Sequence, residues 1–160
     1  MPGTDERDEA IPQFGEMLDG LAYSPRPGAY GVALDEAGRV LTVELDTGSF
    51  LPGGGRRVGE SDEDALVREV LEETGFQIEI GARLGVAKQF VVSARKGKAF
   101  NKIGAFFLIE LGRWVGAPSE PDHGLLWLSV EEALIRLRDE NHRWALARAV
   151  AAKSAGLSRR

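Results

Sequence analysis

The sequence contains no cysteine, and this absence excludes several kinds of chemistry. Without cysteine the chain has no disulfide, no thiolate nucleophile and no zinc–thiolate site. Long apolar runs are also lacking, since none approaches the roughly 18 residues that a membrane span needs. With 43% hydrophobic and 28% charged residues, the composition is typical of a soluble globular protein.

Positive charge is scarce relative to negative charge. The net charge of −5 argues against a dedicated DNA or RNA binder with a basic stripe. It does not argue against nucleotides as partners, because a bound metal ion supplies local positive charge. The N-terminus is acidic rather than basic and then apolar, so we expect no signal peptide and a cytoplasmic location.

The length of 160 residues favours one domain. We predict a flexible N-terminal tail over residues 1–10, a single domain over residues 11–154 and a basic C-terminal tail over residues 155–160. The sequence contains no internal repeat. Whether the domain forms a homodimer stays open.

Residues 51–76 carry the main functional pattern of the chain. Three consecutive glycines, Gly53–Gly55, form a predicted loop that leads into a predicted helix. Ser61 is a good N-cap residue with Asp64 three residues later, a near capping box, and Gly75 is suited to end the helix. At ~100° per residue, one side of this helix collects four apolar side chains: Leu66, Val67, Val70 and Leu71.

The opposite side of the helix carries Glu69, Glu72 and Glu73, which are spaced as neighbours on one face. Each like-charge pair costs roughly 0.2–0.5 kcal/mol on an isolated helix, and the helix dipole also disfavours anions in the last turns. A hard divalent cation such as Mg²⁺ would turn this repulsion into binding. From spacing alone, an ordinary solvated helix face is an equal alternative.

The same stretch resembles the signature of the Nudix hydrolases at every defined position. Gly54 is followed after five residues by Glu60, and seven residues then lead to the run Arg68-Glu69-Val70-Leu71-Glu72-Glu73-Thr74-Gly75-Phe76. The chain is therefore identified as similar to Nudix pyrophosphohydrolases. The resemblance implies an α/β fold, an α/β/α sandwich with a mixed β-sheet between helices and a loop–helix–loop catalytic motif.

The resemblance also implies roles for the residues of this motif. It implies hydrolysis that depends on Mg²⁺ or Mn²⁺, in which water attacks phosphorus. The implied metal ligands are Glu69, Glu72, Glu73 and the backbone carbonyl of Gly53. Glu60 is expected to support the site or to act as an occasional ligand. Arg68 is expected to hold a glutamate carboxylate in place rather than to touch the substrate.

The general base is left open between a motif glutamate and a loop acid. Within the motif the candidate is Glu69. In the loop before residues 125–128 the candidates are Glu120 and Asp122, of which Glu120 is slightly favoured. A solvated loop acid is an equal interpretation of Glu120.

Four basic residues are candidates for contacts with substrate phosphates: Arg56, Arg57, Arg95 and Lys98. Nudix proteins often carry an acid where Arg57 stands, so this position departs from the family pattern. A solvated loop pair explains Arg56 and Arg57 equally well, and a charged hairpin tip is the commoner explanation of Arg95 and Lys98.

The substrate is narrowed mainly by absences. ADP-ribose members of the family tend to have a proline shortly after the motif, but no proline lies between Pro52 and Pro118 in this chain. Dinucleoside polyphosphate members tend to have a tyrosine in that region, but no tyrosine follows Tyr30. A nucleoside triphosphate is favoured by elimination, with no nucleic acid polymer and no membrane as partner. The alternative is a Nudix-like domain that binds a nucleotide without hydrolysis, although such domains usually lose motif glutamates.

The remaining pattern predicts a succession of short strands and two C-terminal helices. Pro25 and Pro27 are expected in a loop, and a short edge strand is open within residues 11–23. Ser129 is expected to cap a helix with Leu134 on its buried stripe, Trp127 is expected in the core, and the last helix is expected over 142–152. Strands are predicted at 29–34, 40–45, 49–51, 76–80, 84–92, 103–109 and 125–128.

Overall fold

The computed structural model describes residues 10–93, 97–119 and 124–156. Its strands and helices follow one another along the chain in this order: β1 (Gln13–Phe14), β2 (Tyr23–Val32), β3 (Val40–Leu45), β4 (Gly48–Phe50), β5 (Gly53–Gly55), α1 (Asp62–Thr74), β6 (Phe76–Ser93), β7 (Lys98–Trp114), β8 (Gly124–Leu128), α2 (Val130–Arg136) and α3 (Glu140–Ser154).

Two sheets organise these elements. Five strands form a mixed sheet in the order β1-β6-β7-β2-β5, in which β7 pairs antiparallel with β6 and parallel with β2. Three strands form a second sheet in the order β4-β3-β8. The short strand β1 lies at the edge of the larger sheet, as the sequence allowed.

The central strand β7 divides the core into two layers. Successive side chains of a strand point to opposite faces of its sheet. Phe107 packs in the cluster that contains Leu66 of α1, whereas Phe106 packs in the cluster that contains Leu146 of α3. Helices therefore cover both faces of the mixed sheet, and the predicted α/β/α sandwich is confirmed.

Helix α1 begins and ends as predicted. The Ser61 hydroxyl accepts a hydrogen bond from the Asp64 amide at 3.0 Å, and the Asp64 carboxylate accepts one from the Ser61 amide at 3.3 Å. Gly75 ends the helix in the left-handed conformation, with φ of 79°. The apolar side is narrower than predicted, because Val67 and Leu71 are exposed whereas Leu66 and Val70 are buried.

The expected loop around Pro25 and Pro27 is wrong, because both prolines lie inside β2. Proline cannot donate a ladder hydrogen bond and is tolerated where its nitrogen faces an open edge. The Pro27 carbonyl accepts a hydrogen bond from the Arg56 amide at 2.9 Å, on the edge opposite β7. The nitrogens of both prolines therefore face the edge of β2 that lies opposite β7. The short strand β5 pairs with only part of this edge.

Three further elements differ from the sequence prediction. The glycine segment Gly53–Gly55 is the strand β5 rather than a loop, and it pairs antiparallel with Gly28, Ala29 and Tyr30. The two strands predicted between residues 76 and 92 form one strand, β6, whose pairing with β7 shifts register on both sides of Arg83. The pairing of β6 with β7 continues from Phe76 to Ser93 despite these irregularities. Strand β7 is also longer than predicted.

The C-terminal helices are formed as predicted, with corrections to burial. Ser129 caps α2 by accepting a hydrogen bond from the Glu132 amide at 3.1 Å. Ala133 and Leu137 are buried, but Leu134 and Trp127 are exposed at 36% and 38%, so neither is a core residue. Helix α3 is longer than predicted at both ends.

Both termini extend beyond the described residues, so the predicted tails and the single-domain boundaries remain predictions. In the part of the chain that the structure describes, none of the helices has the length and apolar character required for a membrane crossing.

Gly75 offers a test of how the end of α1 is held. A Cβ at Gly75 would fall against the Gly116 carbonyl oxygen, whereas a Cβ at Gly38, which has a nearly identical φ of 78°, would meet open space. We expect Gly38→Ala to lower the free energy of unfolding by about 1–2 kcal/mol, the cost of the left-handed backbone. Gly75→Ala should cost roughly 3 kcal/mol or more, because the clash adds to that strain.

Urea unfolding of the two variants beside the unsubstituted chain measures this difference. Equal losses for Gly75→Ala and Gly38→Ala would contradict the close approach of the Gly116 carbonyl to Gly75.

Candidate functional site

Arg68 of α1 is the centre of an ionic cluster beside Gly55, the last residue of the glycine segment. Its Nε and Nη2 atoms donate to the two carboxylate oxygens of Glu60 at 2.7 and 2.9 Å. Its Nη1 donates to Glu69 at 2.8 Å and to Glu72 at 3.4 Å, and Nη2 also donates to the Gly55 carbonyl at 3.0 Å. One guanidinium thus connects three carboxylates on two segments.

The pKa values of this cluster follow from the same contacts. Hydrogen bonds from Arg68 lower the pKa of Glu60 to about 2, and the Arg57 amide adds to this effect. The bond to Glu60 in turn raises the pKa of Arg68. Both groups therefore stay charged at any pH at which the protein would be used.

Glu73 joins α1 to β5 by a second contact. Its carboxylate is buried and accepts a hydrogen bond from the Gly53 amide at 2.7 Å. Glycine is needed here because a Cβ at Gly54 would lie 2.6 Å from the Glu69 carboxylate, and Gly53 has φ of 141°. The glycines allow the backbone of β5 to approach the glutamates closely.

The donor chemistry of this cluster fits a hard divalent cation. Carboxylates and a backbone carbonyl are oxygen donors of the kind that Mg²⁺ takes. Among the described residues, no three acidic or histidine side chains are gathered closely enough to hold an ion as they stand. A carboxylate oxygen has two lone pairs, so an oxygen that accepts one hydrogen bond can also bind a cation.

A cleft opens beside Glu69 and Glu73. The part of the cleft next to these glutamates has a volume of about 300 Å³, and it adjoins a wider part of about 550 Å³. Four residues line both parts of the cleft: Tyr30, Thr47, Lys102 and Arg138. Burial is the main cause that raises the pKa of Tyr30, and the charges of Asp139, Glu73 and Glu69 raise it further. The Tyr30 hydroxyl therefore stays neutral beside these carboxylates.

Comparison with known proteins agrees with this fold and motif. The family model for the NUDIX domain matches residues 24–150. The chain belongs to the NUDIX family. A Bacillus subtilis relative, whose provisional name is 8-oxo-dGTP diphosphatase, is 43% identical over 61 residues, which are 37% of this chain and 41% of that relative. The match thus spans about two fifths of the relative's length.

Two solved structures show the extent of the likeness. A NUDIX hydrolase from Nitrosomonas europaea is 20% identical, with a TM-score of 0.66 over 85% of this chain and 93% of that one. A MutT NUDIX hydrolase from Burkholderia pseudomallei is 26% identical, with a TM-score of 0.58 over 78% of this chain and 98% of that one. The predicted family and its α/β fold are confirmed.

Of the candidate substrate contacts, two are paired with acidic residues of the NUDIX motif region. Arg56 lies 3.1 Å from the Asp62 carboxylate, and Arg57 lies 3.8 Å from that of Glu72. The Arg57 amide also donates to Glu60 at 2.7 Å. The departure from the family pattern at Arg57 thus adds positive charge directly beside the glutamates.

The other candidates are not brought to the glutamates by the described structure. Lys98 is exposed at the start of β7 and lines neither part of the cleft. Arg95, Glu120 and Asp122 lie outside the described residues, so their predicted roles stay predictions.

Sequence reasoning missed the basic residues that line the cleft. Lys102 lies on β7 and donates to the buried Asp139 carboxylate at 3.0 Å. Arg138 lies between α2 and α3 and donates to the Thr47 carbonyl at 3.3 Å. Both residues are far from the motif in sequence, and a single charged residue at a strand start or between helices carries no local signal of a site.

The sequence predicted only that His142 lies at the start of the last helix, and it did not predict the contacts of its imidazole. Its imidazole is buried, lies 4.5 Å from the Tyr30 ring and accepts a hydrogen bond at Nδ1 from the Leu51 amide at 3.0 Å. Burial is the main cause that lowers its pKa to about 4. A neutral His142 on α3 thus holds the chain two residues before Gly53.

The depressed pKa of His142 predicts a loss of stability in mild acid. The unfolded chain binds a proton near pH 6.5 but the folded chain only near pH 4, so stability is present above pH 6.5 and falls as the pH drops toward 4. The loss should reach about 3 kcal/mol. His142→Asn keeps an acceptor for the Leu51 amide and removes the titration.

Urea unfolding at several pH values between 7 and about 4 measures this dependence in both proteins. We expect a flatter profile for His142→Asn over this window. Parallel profiles would show that the imidazole titrates normally and is not buried in neutral form.

Proposed function

We propose that this chain is a metal-dependent pyrophosphohydrolase that cleaves a nucleoside diphosphate linked to another group. Water attacks one phosphorus atom, the bond from that phosphorus to the bridging oxygen breaks, and two phosphate-bearing products leave. The proposal rests on Glu69 and Glu73 of α1, which line a cleft of nucleotide size, and on Arg68, which donates to Glu69 and Glu72.

We assign the metal ligands to the carboxylates of Glu69, Glu72 and Glu73 and to the backbone carbonyl of Gly53. Mg²⁺ or Mn²⁺, when bound, supplies positive charge that stabilises the negative charge building on the phosphoryl oxygens. Glu60 belongs to the support of this site, because both of its oxygens are used by Arg68.

Arg68 acts in this proposal as a positioning residue. Its contacts to Glu69 and Glu72 restrain two carboxylates that would otherwise repel each other on one helix face. The planar guanidinium suits this task because it offers several donors in a fixed geometry. The contact from the Gly53 amide to Glu73 restrains the third glutamate.

We assign proton abstraction from the attacking water to Glu69. This carboxylate lines the cleft beside Gly53 and Tyr30. Glu120, the loop acid that the sequence offered as a base, lies outside the described residues and remains the alternative.

The favoured substrate is a nucleoside triphosphate. The name of the Bacillus subtilis relative supports this class of substrate. Lys102 and Arg138 also support it, since they line the cleft next to the glutamates and suit the additional phosphates. A cytoplasmic location, the absence of a nucleic acid polymer as partner and a homodimer remain predictions.

Glu73→Gln tests the proposal because it removes one charge while keeping the shape of the side chain. Measured as phosphate or pyrophosphate release from a nucleotide panel, with Mg²⁺ and Mn²⁺ in separate assays at mildly alkaline pH, turnover should fall by on the order of 100-fold or more. Glu63→Gln, in the first turn of the same helix, is the matched control and should keep most of the activity.

Release that needs metal and is lost in Glu73→Gln but not in Glu63→Gln would support the hydrolase. If the folded, metal-loaded chain released nothing from any nucleotide, the hydrolase proposal would fail. A domain that binds nucleotides without hydrolysis would then be favoured.

A further inference from the structure

Strand β8 forms an open edge of the three-stranded sheet. The order β4-β3-β8 leaves one side of β8 without a neighbouring strand among the described residues. The Leu126 carbonyl accepts a hydrogen bond from the Thr42 hydroxyl of β3 at 3.2 Å, so the backbone of Leu126 faces β3. Because the backbone groups of successive residues point to opposite edges of a strand, the amides and carbonyls of Leu125 and Trp127 face the open edge.

The side chains of β8 leave this edge apolar. The strand, with the sequence GLLWL, contains no charged residue and no proline. Leu125, Leu126 and Trp127 are exposed at 37%, 40% and 38%. Since successive side chains of a strand point to opposite faces, apolar surface is exposed on both faces of β8. An open edge of this kind favours pairing with a strand of another chain.

The other described sheet edges are protected against such pairing. Strands β1 and β5 have only two and three residues. Strand β2 carries Pro25 and Pro27 where β5 does not reach it, and β6 has register shifts on both sides of the charged Arg83. At the far edge of the three-stranded sheet, the Arg138 amide donates to the Ser49 carbonyl of β4 at 3.0 Å. Prolines, bulges, charges and short strands all hinder pairing at an edge, and β8 differs in lacking proline, charge and bulge.

We propose that β8 is the contact surface of a homodimer, in which it pairs antiparallel with β8 of a second copy of this chain. Leu126 is the middle one of the five residues of β8. A two-fold axis at this position sets Leu126 opposite the partner's Leu126 and lets the backbone of Leu125 bond to that of the partner's Trp127. Because β8 carries no charge, the two identical strands meet without like-charge repulsion.

A second copy fits this surface because one symmetric pairing covers both open edges at once. The two three-stranded sheets then form one continuous sheet that ends at β4 on either side. Each β4 is already bonded through Ser49 to Arg138 of its own chain. Association through β8 therefore stops at two chains.

Sedimentation equilibrium of the full chain over a range of concentrations tests this proposal. The unsubstituted chain should form a reversible dimer with twice the mass of one chain. Leu126→Lys should weaken the dimer roughly tenfold or more, because it removes apolar contact and sets two lysines opposite each other. Val67→Lys is the matched control and should leave the dimer unchanged, since Val67 is similarly exposed, at 42%, but lies on α1.

An exchange of charge separates a loss of pairing from a loss of folding. Leu126→Glu should weaken the dimer as Leu126→Lys does, but the two variants should associate with each other when they are mixed, because opposite charges then face each other. Misfolded variants would not recover in this way. A chain that stays monomeric at every concentration, a dimer that Leu126→Lys does not weaken or that Val67→Lys weakens equally, or no association of the mixed variants would each overturn the proposal.

Discussion

The candidate site depends on one electrostatic constraint, the placing of several carboxylates beside one another in the last turns of α1. Glu69 and Glu72 repel each other and are disfavoured by the helix dipole. Arg68 offsets this cost by binding both of them, while Glu60, from the preceding loop, accepts hydrogen bonds from its Nε and Nη2. Because Arg68 is half-buried, these contacts are screened by solvent less than an exposed pair would be.

The rest of the fold brings the backbone and the cleft to this cluster. β5 approaches α1 closely because its glycines have no side chain to meet Glu69. The chain just before β5 is held by α3, because the His142 imidazole accepts a hydrogen bond from the Leu51 amide. The same helix start contains Asp139, which binds Lys102 at the cleft. One helix thus positions both the glycine segment and a basic residue of the site.

The predictable part of the site was the part encoded locally. Residues 54–76 form one contiguous motif, so spacing and resemblance together indicated the helix, its caps and the family. The capping box at Ser61 and the end at Gly75 were predicted because caps depend on neighbouring residues. The walls of the cleft were not predictable in this way, since Arg26, Lys102 and Arg138 come together only through sheet pairing and the turn between α2 and α3.

The errors in the predicted fold have a similar origin. Pro25 and Pro27 were expected in a loop because proline interrupts most strands, but an open strand edge tolerates them. Val67 was expected to be buried from helical periodicity, but no element covers that side of α1 among the described residues, and it is exposed. In both cases the outcome depends on which strand or helix lies alongside, and this is a tertiary property.

Mn²⁺ affinity, measured by electron paramagnetic resonance, tests whether Arg68 organises the carboxylates into a metal site. Arg68→Lys keeps the charge but loses the fork that joins Glu60, Glu69 and Glu72. We expect the Arg68→Lys protein to bind Mn²⁺ roughly tenfold or more weakly than the unsubstituted chain. Arg136→Lys, which alters an arginine paired with Glu44 at 2.7 Å outside the cleft, should leave it unchanged. Equal affinity in the Arg68→Lys protein, or no Mn²⁺ binding by the unsubstituted chain, would show that Arg68 does not organise a metal site here.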